Sequence, residues 1–528
     1  MTTPFTKTRA FTPVIVSAAF IAIVAAAHWL RSPLYYPQVI VEAQQGLRLE
    51  FLQQGLTKKE DCEAATRTIA GSVRASCPVC RIAAQQCLGG PAAEHEQRLS
   101  EAPIGLPSSR IPHGVVTYVS RDKDLALDAC RKAPWAGSTQ GQGFLCAAPN
   151  SPRQMPGAQR IGNAQLGTGL LLLLVSAIAA ALAGYLIVRY EALHARWSHD
   201  PVHAAPQKFH ATPTPRIGGL AVVAGLLASG IALIASRQGG SYEPYGYLLL
   251  AGVPAFLGGI AEDLTKRVSV AARLLLTMLA AAFGVWLLGG VIPRLDVPGL
   301  DWLLMWSPFA IAVTAFAVGG VANSINIIDG YNGLASGHAV IVLAAMAWVS
   351  ALLGDAFLLI SALAMIGALL GFFAWNYPGG KMFLGDGGAY LLGFWLGELS
   401  VLMVVRHPEV SPWFPMLLLV YPIFETVYSI YRRKVLEGLS PGQPDRMHLH
   451  QVIYMHLTRG ASTDVVDPAT LIRWNSLVAP FSWAMTLCCA LPALLLWRQT
   501  GWLVAAALIF CLGYLLLYRQ LLKRIKLL

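Results

Sequence analysis

Residues 336–375 read SGHAVIVLAAMAWVSALLGDAFLLISALAMIGALLGFFAW. Two apolar runs, 336–353 and 356–375, are divided only by Gly354 and Asp355, and neither contains Lys, Arg, Asp or Glu. About 20 apolar residues in a helix cross roughly 30 Å of hydrocarbon. The pair therefore reads as two membrane-spanning helices joined by a tight turn. Working outward, ten more segments read the same way: 13–30, 166–188, 217–236, 245–261, 270–290, 305–322, 388–405, 412–430, 475–497 and 501–518.

Composition agrees. The chain of 528 residues is 55% hydrophobic and only 13% charged, with a mean hydropathy of +0.54. Soluble domains are nearer one quarter charged. The expectation is an all-α polytopic integral membrane protein with about twelve spanning helices. A formal net charge of +11 would suggest nucleic acid in a soluble protein. Here it follows from Lys and Arg gathering in cytoplasmic loops, so no nucleic-acid partner is expected.

Lys7 and Arg9 precede the first segment and place the N-terminus inside. Counting crossings puts loops 189–216, 262–269, 323–335, 376–387, 431–474 and 519–528 on the same side. These loops hold Arg189, Lys208, Arg216, Lys266, Arg267, Lys381, Arg432, Arg433, Lys434, Lys523, Arg524 and Lys526. Charge bias and crossing count agree. The resulting organisation is a first spanning segment in 1–30, a polar extracytoplasmic segment in 31–165, and a polytopic core in 166–528. The first segment is alternatively a signal peptide ending near Ala25-Ala26-Ala27.

Six of the nine cysteines (Cys62, Cys77, Cys80, Cys87, Cys130, Cys146) fall in 31–165. An even set outside the cytoplasm implies a disulfide framework of up to three bridges. The alternative for Cys77-Pro-Val-Cys80 is a redox or metal motif. No second CxxC and no strand–helix pattern is evident around it.

Ionisable and polar groups at membrane depth are costly and tend to serve function. Five clusters stand out, all at predicted inner ends. Lys208-Phe-His-Ala-Thr-Pro-Thr-Pro-Arg216-Ile-Gly-Gly219 brings cations to a span entry, where they serve as topology anchors or meet phosphate. Gly258-Gly-Ile-Ala-Glu262-Asp263 pairs two carboxylates at a helix end; the plain alternative is a solvated terminus. Asn323, Asn326, Asp329 and Asn332 recur every three residues, close to one helical face, and suit a polar ligand. Asn376-Tyr-Pro-Gly-Gly-Lys-Met-Phe383-Leu-Gly-Asp386-Gly-Gly holds an acid among glycines. Such an acid is a hard oxygen ligand suited to Mg²⁺ with substrate phosphates, or merely a turn acid. Pro444-Asp445-Arg446-Met-His448-Leu-His450-Gln451 places two imidazoles two residues apart. Zinc would need more soft ligands than are near, so phosphate contact is the better expectation.

PTPRIGG, NxxNxxDGxxGL, FLGDGG and the late HxH loop, in this order, resemble the polyprenyl-phosphate N-acetylhexosamine-1-phosphate transferases of glycosyltransferase family 4. The resemblance covers about 166–520. It implies attack of undecaprenyl phosphate on the β-phosphorus of a UDP-N-acetylhexosamine, by default UDP-GlcNAc, with UMP leaving. It also implies Mg²⁺, with Mn²⁺ as an alternative, and a cytoplasmic site in a bacterial inner membrane.

By position, Asp386 corresponds to the family's metal ligand and Asp263 to an acid that deprotonates or positions the lipid phosphate. Glu262 stands beside it as the first acid of that pair, and Asp329 is the acid of NxxNxxD. Phe383 takes the place of an aromatic stacked on uracil, in a pocket bordered by Asn376 and Asn332. Lys208, Arg216, Arg273 and Arg446, with Asn323 and Asn326, fall where substrate is contacted. His448 and His450 fall where the diphosphate is contacted. Three positions depart from the family: Glu262 replaces an Asp, Asn332 an Asp, and Gln451 a His. The competing readings are a transporter and a catalytically inactive relative that binds a partner. A transporter predicts mid-bilayer charges and internal repeats, and neither is seen.

Overall fold

The computed structural model divides the chain into two compact units, Met1–Gln159 and Arg160–Leu528. It describes residues 35–43, 47–53, 56, 59–77, 80–89, 108–111, 114–120, 125–126, 129, 163–200, 213–236, 242–440, 442, 445–458 and 467–526. The expected first span, 13–30, lies outside these residues, as do Lys208, Cys130 and Cys146.

The first unit carries a sheet that the sequence reading did not include. Strands β1 (Tyr35–Glu42), β2 (Arg48–Gln53), β3 (Arg81–Gly89), β4 (Ser108–Ile111) and β5 (Gly114–Val119) pair antiparallel in the order β3-β1-β2-β5-β4. Helix α1 (Lys59–Ser76) intervenes between β2 and β3. Its Ile69, Ala70 and Val73 pack with Val39, Val41, Phe51, Val116 and Tyr118 in one apolar cluster. Disulfides join Cys62 to Cys87 and Cys77 to Cys80. The Cys77–Cys80 pair lies between α1 and β3, helix before and strand after.

Cys62–Cys87 ties α1 to β3 across 25 residues of chain. A cross-link of that span removes denatured-state entropy worth about 3 kcal/mol. Cys62→Ser with Cys87→Ser is expected to lower this unit's unfolding free energy by that amount, read by calorimetry of the full chain.

The second unit is a helical bundle. Helix α2 (Asn163–Arg189) is followed by the short α3 (Glu191–Ser198). A two-residue ladder of β6 (His199–Asp200) with β7 (Thr214–Pro215) leads into α4 (Gly218–Ala235). Then come α5 (Tyr242–Thr265), α6 (Val270–Leu288), α7 (Leu300–Leu304), α8 (Ser307–Ile328), α9 (Leu334–Leu353), α10 (Ala356–Asn376) and α11 (Gly385–Arg406). The chain continues through α12 (Trp413–Leu418), α13 (Val420–Tyr431), a π turn at Arg432–Leu436, α14 (Leu449–Leu457), α15 (Pro468–Leu496) and α16 (Thr500–Lys526). Among the described residues ten helices are long and apolar enough to cross a membrane. They correspond to ten of the twelve expected segments.

Segment 412–430 departs from expectation. It is two helices, broken at Leu419 (φ −99°, ψ 6°). Pro422 has no N–H to offer the carbonyl one turn back, and Pro415 precedes the break within α12. A second difference lies in α8, which runs to Ile328 instead of ending near 322. That extension keeps Asn323 and Asn326 on a helical face and puts Asp329 at its C-terminal cap.

Hydrogen bonds sort the loops to two ends of the bundle. At one end Asp263 meets 386–387 and Asn332 meets Pro378. At the other, Arg294 donates to the Pro408 and Val410 carbonyls, and Asp355 accepts from Arg406 and His407. Four of the five sequence clusters have residues at the first end in these contacts or beside them.

Candidate active site

The site is built on the loop that starts α11. Phe383 N–H donates to the Pro215 carbonyl (2.9 Å), while Gly218 and Gly219 donate to Phe383 and Leu384 (2.9 and 2.8 Å). This pairs the entry of α4 with the entry of α11. Gly385 has φ +74°, and a Cβ there would stand 1.9 Å from the Arg216 carbonyl oxygen. Only glycine passes this crossing without a shift.

Asp263, fully buried at the end of α5, accepts from the N–H groups of Asp386 (2.9 Å) and Gly387 (2.8 Å), one on each carboxylate oxygen. It caps the first turn of α11, where unpaired N–H groups and the helix dipole favour an anion. Arg216 lies 3.8 Å away.

The capped turn holds out Asp386. Its Oδ1 accepts from Arg216 (3.3 Å) and from the Asn326 carboxamide (3.0 Å), and Arg273 pairs with its Oδ2. Arg273 also lies 5.5 Å over the ring of Tyr390, whose hydroxyl reaches Asn323 (3.4 Å). Three motifs far apart in sequence thus meet on one carboxylate. Asp329 faces the same cavity. Burial pushes its carboxyl up to about 7; Arg216 opposes this and the Asp263 charge adds to it. Glu262 lines the cavity and accepts from Val268 N–H (2.6 Å).

Asn332 and Asn376 act on the backbone. Asn332 donates through Nδ2 to the Pro378 carbonyl (3.0 Å), and its own N–H goes to Asn475 (2.9 Å). Asn376 accepts from Gly333 N–H (2.6 Å) and donates to the Met382 carbonyl (2.9 Å). These bonds hold 376–382 against the start of α9. Asn376 and Phe383 border the cavity; Asn332 and Asp263 lie behind its wall.

The histidine loop closes the other side. His448 Nδ1 lies 2.9 Å from Glu425, and Gln451 accepts from His448 N–H (3.3 Å), which starts α14. His450 is buried, stacks on His448 (centroids 5.4 Å, 14° between planes) and meets Tyr331 edge-on. Burial, reinforced by His448, lowers the His450 ring to about 3, so it is neutral near pH 7. Asp445 accepts from Ser429 (2.8 Å) and Met447 N–H (2.9 Å) and pairs with Arg432. Burial opposes its charge, yet His448, the Met447 amide, Ser429 and Arg432 together hold its carboxyl below the ordinary range.

Arg446, expected to bind substrate, is exposed and absent from the cavity wall. Its neighbour Asp445 turns inward instead, because two arginines of the π turn face it. Sequence reasoning missed Glu425 and gave Asp445, though quoted in the last cluster, no role. Glu425 is an acid within an apolar run, and the cost of such an acid was the available signal.

Arg216, Glu262, Arg273, Asn326, Asp329, Asn376, Phe383, Asp386, Asp445, His448 and His450 line one cavity of about 1280 Å³. From the charged end it continues between α8, α11 and α12–α13 along Phe316, Val401, Val404, Met416 and Ile423 towards Trp413. Among the described residues no three His, Cys, Asp or Glu gather as a metal cage. The donor set at Asp386, one carboxylate beside a carboxamide, fits Mg²⁺, which takes one or two carboxylates and completes its shell with phosphate and water.

Comparisons with known proteins bear on the family. Residues 245–404 match the family described as Glycosyl transferase family 4. The chain is 33% identical over 250 residues to a protein named probable undecaprenyl-phosphate N-acetylglucosaminyl 1-phosphate transferase in Bacillus subtilis (strain 168), covering 46% of this chain and 66% of the relative. It is 30% identical over 265 residues to undecaprenyl-phosphate alpha-N-acetylglucosaminyl 1-phosphate transferase of Escherichia coli (strain K12), covering 47% and 67%. It is 28% identical over 318 residues to decaprenyl-phosphate N-acetylglucosaminephosphotransferase of Mycobacterium leprae (strain TN), covering 53% and 75%. The match thus spans about two thirds of the first two relatives, and with the motifs meeting at Asp386 it places this chain in glycosyl transferase family 4.

Proposed function

We propose that the protein transfers N-acetylhexosamine 1-phosphate, with GlcNAc the default sugar, from its UDP donor to undecaprenyl phosphate. A phosphate oxygen of the lipid bonds to the β-phosphorus, the bond from that phosphorus to the UMP oxygen breaks, and UMP leaves. The product is a lipid-linked diphosphate sugar that initiates a cell-envelope polysaccharide. One observation carries the reading: a cavity whose charged end, with Arg216, Arg273, Asp386 and His450, runs directly into an apolar cleft. A phosphorylated isoprenoid has that polarity along its length.

Both substrates are anionic, so their approach needs positive charge between them. Arg216 and Arg273 supply it, and each is within reach of the Asp386 carboxylate. Mg²⁺ or Mn²⁺ held by Asp386 would screen the phosphates and polarise the reacting phosphorus. Asp263 keeps Asp386 in place through the α11 amides. Asn376 and Asn332 shape the loop that presents Phe383, the candidate platform for uracil. The His448–His450 side faces the diphosphate. The Lys and Arg bias of the loops supports a cytoplasmic charged end in a bacterial inner membrane, with 31–165 on the opposite side.

The test uses purified full-length protein with undecaprenyl phosphate, Mg²⁺ and a panel of UDP-sugars. Release of UMP that requires both lipid and divalent ion is expected, fastest with one N-acetylhexosamine donor. Tight binding of UDP-sugar with no turnover would sink the proposal.

A further inference from the structure

The two histidines of the HxH loop have different surroundings. Glu425 rises from α13 directly beneath His448. Its Oε1 lies 2.9 Å from His448 Nδ1, its Oε2 accepts from the Tyr514 hydroxyl (2.6 Å), and Leu449 N–H reaches both oxygens (3.3 and 3.2 Å). Glu425 is 1% exposed and forms no part of the cavity wall. On the far side of the ring, His448 Nε2 looks towards Asp445 at 3.8 Å, beyond hydrogen-bond range, and both groups line the cavity. His450 has no carboxylate within hydrogen-bond reach among the described residues. Its Nδ1 has no hydrogen-bond partner there, and its Nε2 points at Gly330, 3.3 Å from where a Cβ would stand.

We propose that Glu425 is a positioning residue that holds His448 as the phosphate-facing member of the pair, leaving His450 as its packing partner. This rests on the transferase reading above. A buried carboxylate at Nδ1 fixes the imidazole's orientation, so that Nε2 is presented outward to the cavity. Three donors on Glu425 keep it from swinging away. The remaining charged and titratable groups around His448 are Asp445 with Arg432 and Arg433 behind it, the stacked His450, and Tyr514 and Tyr518 from α16. Stacking two imidazoles at 5.4 Å makes a second proton costly. The low titration of His450 follows from burial and that neighbour.

The experiment compares full-length wild type, Glu425→Gln and Glu425→Asp. Gln keeps shape and an acceptor oxygen but loses the charge. Acylation of His448 by diethylpyrocarbonate, mapped by mass spectrometry at pH 6, reports how firmly the imidazole is held whether or not turnover occurs. Glu425→Gln is expected to react about tenfold faster at His448, and Glu425→Asp to return towards wild type. In UMP release, Glu425→Gln is expected to raise the donor KM more than it lowers kcat, and Glu425→Asp to recover part of the loss. Equal acylation in wild type and Glu425→Gln overturns the proposal. So does faster acylation with an unchanged donor KM, since the orientation of His448 would then serve no phosphate. Absence of UMP release from wild type would instead overturn the parent reading, and the acylation arm separates the two failures.

Discussion

Asp386→Ala is expected to lower UMP release by on the order of 10³-fold while the protein folds and inserts as wild type. Asp386 gathers Arg216, Arg273 and Asn326 on one carboxylate at the first turn of α11. Removing it leaves two guanidinium groups without their anion at a helix N-terminus, already a positive place. A nucleotide diphosphate should still bind there, and without added metal it should bind at least as tightly as to wild type. Catalysis should fail, because the carboxylate that would hold the divalent ion is gone. Calorimetry with UDP, with and without Mg²⁺, separates the two effects. In wild type Mg²⁺ should strengthen UDP binding; in Asp386→Ala it should not. Wild-type turnover in the variant would end the metal assignment.

The spans were legible because apolar runs of about 20 residues have few other uses. The site was legible because its motifs sit where spans end, and elements of a bundle can meet only at two ends. The expected single face of Asn323, Asn326, Asp329 and Asn332 held for part of its length. Asn323 and Asn326 share a helical face and Asp329 caps it. Asn332 lies past the helix end and turns to staple the 376–382 loop.

Less legible were features whose pattern is masked by burial on all sides. Strand β1, YYPQVIVE, is buried at six successive positions, so the period-two alternation of a half-exposed strand never appears. The break at Leu419 hid in an apolar run, since hydropathy is blind to which proline removes which hydrogen bond. Glu425 escaped notice for the same reason. Its partner His448 is 23 residues on, and nothing in a local window joins them. Gln451, which stands where the family has a third histidine, has a structural use that substitution tables do not convey: it caps the helix that carries His450.

The crossing beneath Asp386 gives the second large effect. Gly385→Ala is expected to reduce turnover by on the order of 10² to 10³-fold, and Asp263→Asn by about 10²-fold. At Gly385 two costs coincide. The backbone has φ +74°, and the new Cβ would lie 1.9 Å from the Arg216 carbonyl oxygen and 2.7 Å from Asp263 Oδ2. Both neighbours belong to the site, so any relaxation moves Arg216, Asp263 or Asp386, and a displacement of about 1 Å in a positioned group is worth about 10² in rate. Asp263→Asn acts on the same turn. The carboxylate accepts two backbone N–H groups, one per oxygen; a carboxamide accepts one and turns its NH₂ against the other. The amide left unpaired in a buried place costs about 1–3 kcal/mol. If Asp263 works through the cap, the variant loses thermal stability and turnover together. If it works on substrate directly, turnover falls while stability stays. Gly246→Ala on α5, with nothing within 4 Å of the added methyl, is the control and should match wild type in both. Wild-type rates in Gly385→Ala would mean that the position of Asp386 is not what the crossing of α4 and α11 protects.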